Sequence, residues 1–160
     1  MTEFAQKYGP WAVVAGASEG IGASLADQLA SGDLNLVLIA RNGPLLDEVA
    51  TRAGEEHGVA TRAVVQDLTD PDVTARMADA TAGLDVGLVI YNAGASDRTT
   101  AFLDNEFEYS LKQIKLDCSA RPPWPATSGL PCASVAEVAS CWWRRLPALR
   151  ARRPSPCIPR

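Results

Sequence analysis

The sequence predicts an α/β fold: a doubly wound parallel sheet, truncated after about four strands, with a poorly ordered C-terminal tail. Three observations carry this expectation. Short apolar runs alternate with helical periodicity through residues 1–117. A residue suited to ligand binding follows each of the four runs, namely Gly16, Arg41, Asp67 and Asn92. The composition then changes abruptly at Cys118. Strands alternating with helices of about a dozen residues call for a parallel sheet covered on both faces, and such sheets bind ligands beyond the carboxyl ends of their strands.

The elements follow in order. Trp11-Ala12-Val13-Val14-Ala15, stopped by Gly16, suits a buried parallel strand. Leu25, Ala26 and Leu29 then fall at helical spacing until Ser31-Gly32. Leu36-Val37-Leu38-Ile39 is a second buried strand. Asn42-Gly43-Pro44 opens a helix that carries Leu45, Leu46, Val49 and Ala50 and stops near Gly58. Val59 to Val65 is a third strand. Asp70 is expected to cap a third helix with Pro71 at its first position, and Gly83 to close it. Val86 to Ile90 is a fourth strand, followed by Asn92-Ala93-Gly94, a polar loop and a helix over about 105–116.

Charge and composition divide the chain into a domain at 1–117 and a tail at 118–160. The first part holds 8 Lys/Arg against 18 Asp/Glu, a net of −10. The second holds seven arginines, no lysine and the single acid Glu137, a net of +6, with all four cysteines and eight of the eleven prolines. Two such segments do not share one folding logic. Arg121-Pro122-Pro123-Trp124-Pro125 cannot continue a helix, and no period persists beyond it.

Several classes are excluded at this level. Met1-Thr2-Glu3-Phe4 has no basic n-region or apolar h-region, and no apolar run approaches the roughly 20 residues that span a bilayer, so a cytoplasmic protein without a membrane partner is expected. No C-x-x-C spacing occurs and His57 is the only histidine, so no metal site is expected. The basic tail could contact nucleic acid, but the acidic body argues against that partner.

Gly16-Ala17-Ser18-Glu19-Gly20-Ile21-Gly22 reads G-x-x-x-G-x-G between a strand and a helix. The glycines let main chain approach a pyrophosphate, the helix start offers free N–H groups and the positive dipole end, and Ser18 can hydrogen-bond a ribose or phosphate. With these residues in view, the chain resembles the classical short-chain dehydrogenases/reductases over about residues 8–118. Val14 to Gly22 resembles their cofactor loop, Asn92-Ala93-Gly94 their signature after the fourth strand, and Asp67-Leu68 the pair after the third strand that contacts adenine. Tyr91 departs from the asparagine often found there.

The resemblance implies a Rossmann-like fold and a dinucleotide cofactor held by Gly16, Ser18, Glu19, Gly20, Ile21, Gly22, Arg41, Asn42, Asp67, Leu68, Asn92, Ala93 and Gly94. It also implies hydride transfer between a nicotinamide and a small carbonyl or secondary-alcohol substrate, and an oligomer, although most interface elements of such oligomers are missing from this sequence. An NAD-preferring site places a carboxylate at the end of the second strand to accept from the 2′-hydroxyl. Here Ala40 leaves that place empty and Arg41 follows, a guanidinium able to grip a 2′-phosphate. NADP(H) is therefore favoured over NAD(H), with Glu19 weighing slightly against it.

The family's mechanism uses a tyrosine as proton donor, a lysine in a Tyr-x-x-x-Lys pair, and a serine about 13 residues earlier that steadies the alkoxide. No Tyr-x-x-x-Lys exists in this chain. Tyr109 and Lys115 precede the expected region and read as surface residues of a helix that the family uses partly for dimer contacts. Asp117 stands where many relatives carry an asparagine of the proton relay. No catalytic residue is assigned, and this chain is expected to lack turnover.

The tail has the composition of GC-rich DNA translated out of frame, and a shifted reading is possible on paper. Trp142 into Trp143 forces valine, and permitted codons then give alanine and, between Arg144 and Arg145, serine. Cys157 into Ile158 can give tyrosine 13 positions later, the family's usual interval. A frameshift is thus a hypothesis, motivated by the charge inversion. Codons that cannot spell serine and tyrosine when shifted would end it.

Two alternatives stand beside the oxidoreductase. One is a non-catalytic NADP(H)-binding module, which needs only the motifs present. The other is a non-functional truncated product whose fourth strand is left with an uncovered edge.

Overall fold

A computed structural model describes residues 2–94 and 104–119. Residues 95–103, where the sequence predicts a polar loop, and the tail from 120 onward, with its expected disorder and its shifted reading, lie outside the described residues.

The fold is α/β and Rossmann-like. Strands β1 (Trp11–Ala15), β2 (Asn35–Ala40), β3 (Thr61–Val65) and β4 (Val86–Tyr91) form one sheet in the order β3-β2-β1-β4. All three pairings are parallel, with Val14 opposite Leu38 and Ile90, and Leu38 opposite Ala63. β1 and β2 are central and almost wholly buried, whereas β3 and β4 are only partly so. This matches the unbroken apolar runs of the first two.

Alternation along the strands sorts the core into two layers. Ala12, Val14, Leu36 and Leu38 face α2 (Gly20–Ser31) and α3 (Gly43–His57), and pack with Ala26, Leu29, Leu46, Val49 and Ala50. Val13, Ala15, Val37 and Ile39 face the other way, onto Leu68 and onto Val73 and Met77 of α4 (Val73–Thr81). α5 (Phe107–Ile114) continues into a π-helical turn at Lys115–Ser119 and buries none of its own residues, leaving Phe107, Leu111 and Ile114 exposed. Among the described residues no helix is long and apolar enough to cross a membrane.

Most boundaries follow the expected signals. The Asn42 side chain accepts from the Leu45 N–H at the start of α3, and Gly58 ends that helix in the left-handed conformation. Three places differ. A first helix, α1 (Glu3–Tyr8), has no counterpart in the sequence reading. It is too short for periodicity, and Thr2 anchors it by accepting from Ala5 N–H and donating its hydroxyl to the Gly32 carbonyl.

The helix expected to start at Asp70 and Pro71 starts instead at Val73, after Asp72. Asp70 does not cap it, because its carboxylate accepts the Gln66 side-chain amide, and the residues between form a turn closed by Asp70 N–H to Asp67 O. β3 begins at Thr61 rather than Val59, since Ala60 N–H is taken by the Asn35 side chain.

At the amino end of the sheet, the pairing of β1 with β4 slips by one residue: Trp11 faces Val86 and Ala12 faces Leu88. Gly87 is the extra residue of this bulge. A Cβ there would collide with the Tyr8 carbonyl, so the close approach of the two chains requires glycine.

Candidate functional site

Because the four strands are parallel, their carboxyl ends share one edge. Along it the structure places Asp67, Arg41, Gly16 and Asn92, in the order of the strands β3, β2, β1 and β4.

The turn after β1 is the centre of the arrangement. Gly16 and Ala17 both donate their N–H to the Ile39 carbonyl, at 2.8 and 3.2 Å, which fastens the loop to the neighbouring strand. Gly16 has φ 81°, and a Cβ there would stand 2.8 Å from the main chain of Ala93. Gly22 is buried beneath, where a Cβ would strike the Gly16 carbonyl. The Asn92 amide donates to that same carbonyl at 3.4 Å, and its N–H donates to Ala15 O at 2.9 Å. The glycine loop and the Asn92-Ala93-Gly94 turn are therefore built against each other.

Above this packing the start of α2 is open. Glu19 stands at the cap position without a side-chain cap bond, and no acid occupies the first turn. Gly20 has φ 57° with nothing within 4 Å of where its Cβ would be. Glu19, Gly20 and Ile21 are exposed and Ser18 is half-buried. Free first-turn N–H groups and unobstructed main chain suit an anion such as a pyrophosphate. The residues present thus fit a dinucleotide.

The neighbouring positions are of mixed kind. Arg41 is exposed one residue beyond β2. Asn42 is committed to capping α3. Leu68 is 4% exposed and belongs to the core, which leaves only its main chain for a ligand.

Asp67 is half-buried and heavily engaged. One carboxylate oxygen accepts from the Thr69 N–H at 2.9 Å and the Thr69 hydroxyl at 2.7 Å. The other lies 3.4 Å from the Lys112 ammonium of α5. Burial pushes its pKa up, but the Thr69 bonds and the Lys112 charge outweigh it and hold the carboxyl below its ordinary value.

Two residues of this region have no signal in the sequence. Lys112 reaches Asp67 only through the docking of α5, across 45 positions. Gln66 is buried and donates its amide to Asp67 O and the Asp70 carboxylate, both at 2.9 Å, so it props the turn from below. Tyr109 and Lys115 lie on α5 and the turn after it, and the Tyr109 hydroxyl accepts from Gln113. Asp117 approaches Gly94, with an oxygen 3.5 Å from where a Cβ would stand.

This fold and loop define the Rossmann-like α/β class, and comparison narrows it. Residues 10–115 match the family described as short chain dehydrogenase, and the chain belongs to that family. It is 40% identical over 90 residues to a 7beta-hydroxysteroid dehydrogenase of Clostridium sardiniense, covering 56% of this chain and 34% of that protein. It is 38% identical over 108 residues to a very-long-chain 3-oxoacyl-CoA reductase of Bos taurus, covering 66% and 35%.

Among solved structures, a short-chain dehydrogenase from Sphingobium yanoikuyae in complex with NADPH superposes with a TM-score of 0.64 at 35% identity, covering 69% of this chain and 44% of that one. The chain thus spans about a third of the length of these curated relatives, and less than half of that structure.

Proposed function

We propose that this chain is the cofactor-binding part of an oxidoreductase that transfers hydride between NADP(H) and a carbonyl or secondary alcohol. The observation that carries the reading is the uncapped start of α2, with open main chain at Gly20 and the exposed Arg41 on the neighbouring strand end. The nicotinamide supplies the hydride when bound. The N–H groups at Gly20 to Gly22 would hold the pyrophosphate, and Ser18 a ribose or phosphate oxygen. Arg41 would grip the 2′-phosphate, with no carboxylate at Ala40 to repel it. Asp67 and the main chain of Leu68 would meet the adenine, and Asn92-Ala93-Gly94 would line the path toward the nicotinamide.

NADPH in the Sphingobium yanoikuyae structure supports the preference for NADP(H). The names of the steroid dehydrogenase and the 3-oxoacyl-CoA reductase support a carbonyl or secondary alcohol as the substrate class. The exposed Phe107, Leu111 and Ile114 of α5 fit a surface covered by a second copy.

This sequence contains no Tyr-x-x-x-Lys, the pair through which the family gives the carbonyl its proton. The reading is therefore binding without turnover. Titrating the purified chain with NADPH and NADH tests it. Tighter NADPH binding, with no loss of nicotinamide absorbance on adding a carbonyl panel, is the expected result. Equal affinity for the two would refute the preference, and turnover would refute the inactivity.

A further inference from the structure

The chain's only histidine lies away from the crevice, on the face where α2 meets α3. His57 is the last residue of α3, and its Nε2 stands 3.0 Å from a carboxylate oxygen of Asp27 on α2. Glu56 is the third member. One ligand atom from each of Asp27, Glu56 and His57 lies within 4.8 Å of the other two. No spacing motif announces this set, because packing of two helices brings position 27 to positions 56 and 57.

We propose that Asp27, Glu56 and His57 form a site for a divalent transition-metal ion of the zinc class, taken by one imidazole nitrogen and two carboxylate oxygens with solvent completing the shell. Tetrahedral zinc at about 2.0–2.1 Å from such ligands spaces them roughly 3.3 Å apart. The His57–Asp27 pair, at 3.0 Å, is close to that spacing, and the Glu56 oxygen lies within 4.8 Å of both. Two carboxylates facing one imidazole leave the cluster negative when the ring is neutral.

The surroundings add to that charge. The C-terminal end of a 15-residue helix carries the negative pole of its dipole. Glu55 is exposed beside the site on the same helix, and Arg52, one turn before Glu56, is the positive charge on that face. The ring is 22% exposed and Asp27 42%, which leaves solvent access for entry and for water ligands. Imidazole favours zinc, nickel or copper, whereas magnesium and calcium take oxygen sets. A bound ion would pin α2 to α3 and stabilise the folded chain by mass action.

Nuclear magnetic resonance tests this on the full chain, because the ring protons of the only histidine report this site alone, whatever the cysteines bind. Addition of zinc is expected to shift the His57 ring signals to saturation at one equivalent, and magnesium to leave them unmoved. Asp27→Asn and Glu56→Gln are each expected to weaken zinc binding about tenfold or more. Ring signals that stay in place while zinc is taken up would overturn the site. So would a Glu56→Gln chain that binds as tightly as the parent, which would leave only a two-residue tie between helices.

Discussion

The side-chain amide of Asn92 donates to the carbonyl of Gly16 across 76 positions of sequence, joining the turn after β4 to the turn after β1. The bond sits where the Gly16 main chain already touches Ala93, so the two loops are shaped as one piece. Asn92→Ala removes the donor and is expected to lower stability by about 1 kcal/mol and to loosen the loop above it. Chemical denaturation, read beside an NADPH titration, measures both. An unchanged midpoint would mean the 3.4 Å contact adds nothing.

Gly16 and Gly20 both have positive φ, but they differ in what surrounds them. Gly16→Ala places a Cβ 2.8 Å from the Ala93 main chain in addition to the left-handed strain, and is expected to cost about 3 kcal/mol or more. Gly20→Ala meets open space and is expected to cost about 1–2 kcal/mol. For cofactor affinity the order should reverse among folded protein, since the Gly20 surface is the one a pyrophosphate would approach. Denaturation of both variants, with NADPH binding measured on each, separates the two roles.

Arg41→Ala is expected to weaken NADPH binding about tenfold to a hundredfold, the range for losing charge-assisted bonds to a phosphate, and to leave NADH binding nearly unchanged. Arg41 is exposed at a strand end, so stability should move by less than about 0.5 kcal/mol. Parallel titrations with the two nucleotides give the answer, and an equal loss for both would remove Arg41 from the phosphate.

Asp67 has a folded pKa below its ordinary value of 3.8. Its contribution to stability is therefore complete above that value, and is lost as pH falls through the lower folded value. Asp67→Asn is expected to reduce stability at neutral pH and to flatten the acid limb of the stability curve. Thr69→Ala should do the same in part, because the Thr69 hydroxyl is one of the groups that lowers the value. Unfolding followed from pH 7 to about pH 2 tests this, and parallel acid limbs for parent and variants would dismiss it.

The strands and the first two long helices were legible because their signals are local. Val13-Val14 and Leu36 to Ile39 are buried on both faces, and Asn42 and Gly58 mark their helix with residues that act within a few positions. The shared edge holding Gly16, Arg41, Asp67 and Asn92 was legible for a related reason, since parallel strands fix where their ends must lie. The start of α4 was not, because Asp70 and Pro71 carry every mark of a helix start, and a contact from the buried Gln66 diverts the aspartate. Lys112 on Asp67 and the grouping of Asp27 with His57 depend on how helices dock, which no short window of sequence contains. α1 shows the same limit, because its capping Thr2 is held by the Gly32 carbonyl, 30 positions away.

The Tyr91 hydroxyl donates to the Leu116 carbonyl at 2.8 Å. The ring thus spans from the last residue of a strand to a peptide oxygen inside the π-helical turn. Aromatic length is what makes the span possible, and an asparagine at 91 would stop short of it. Among relatives, then, exchange at this position should travel together with the winding of the distant helix end: a tyrosine where the helix is overwide, a shorter amide where it closes regularly.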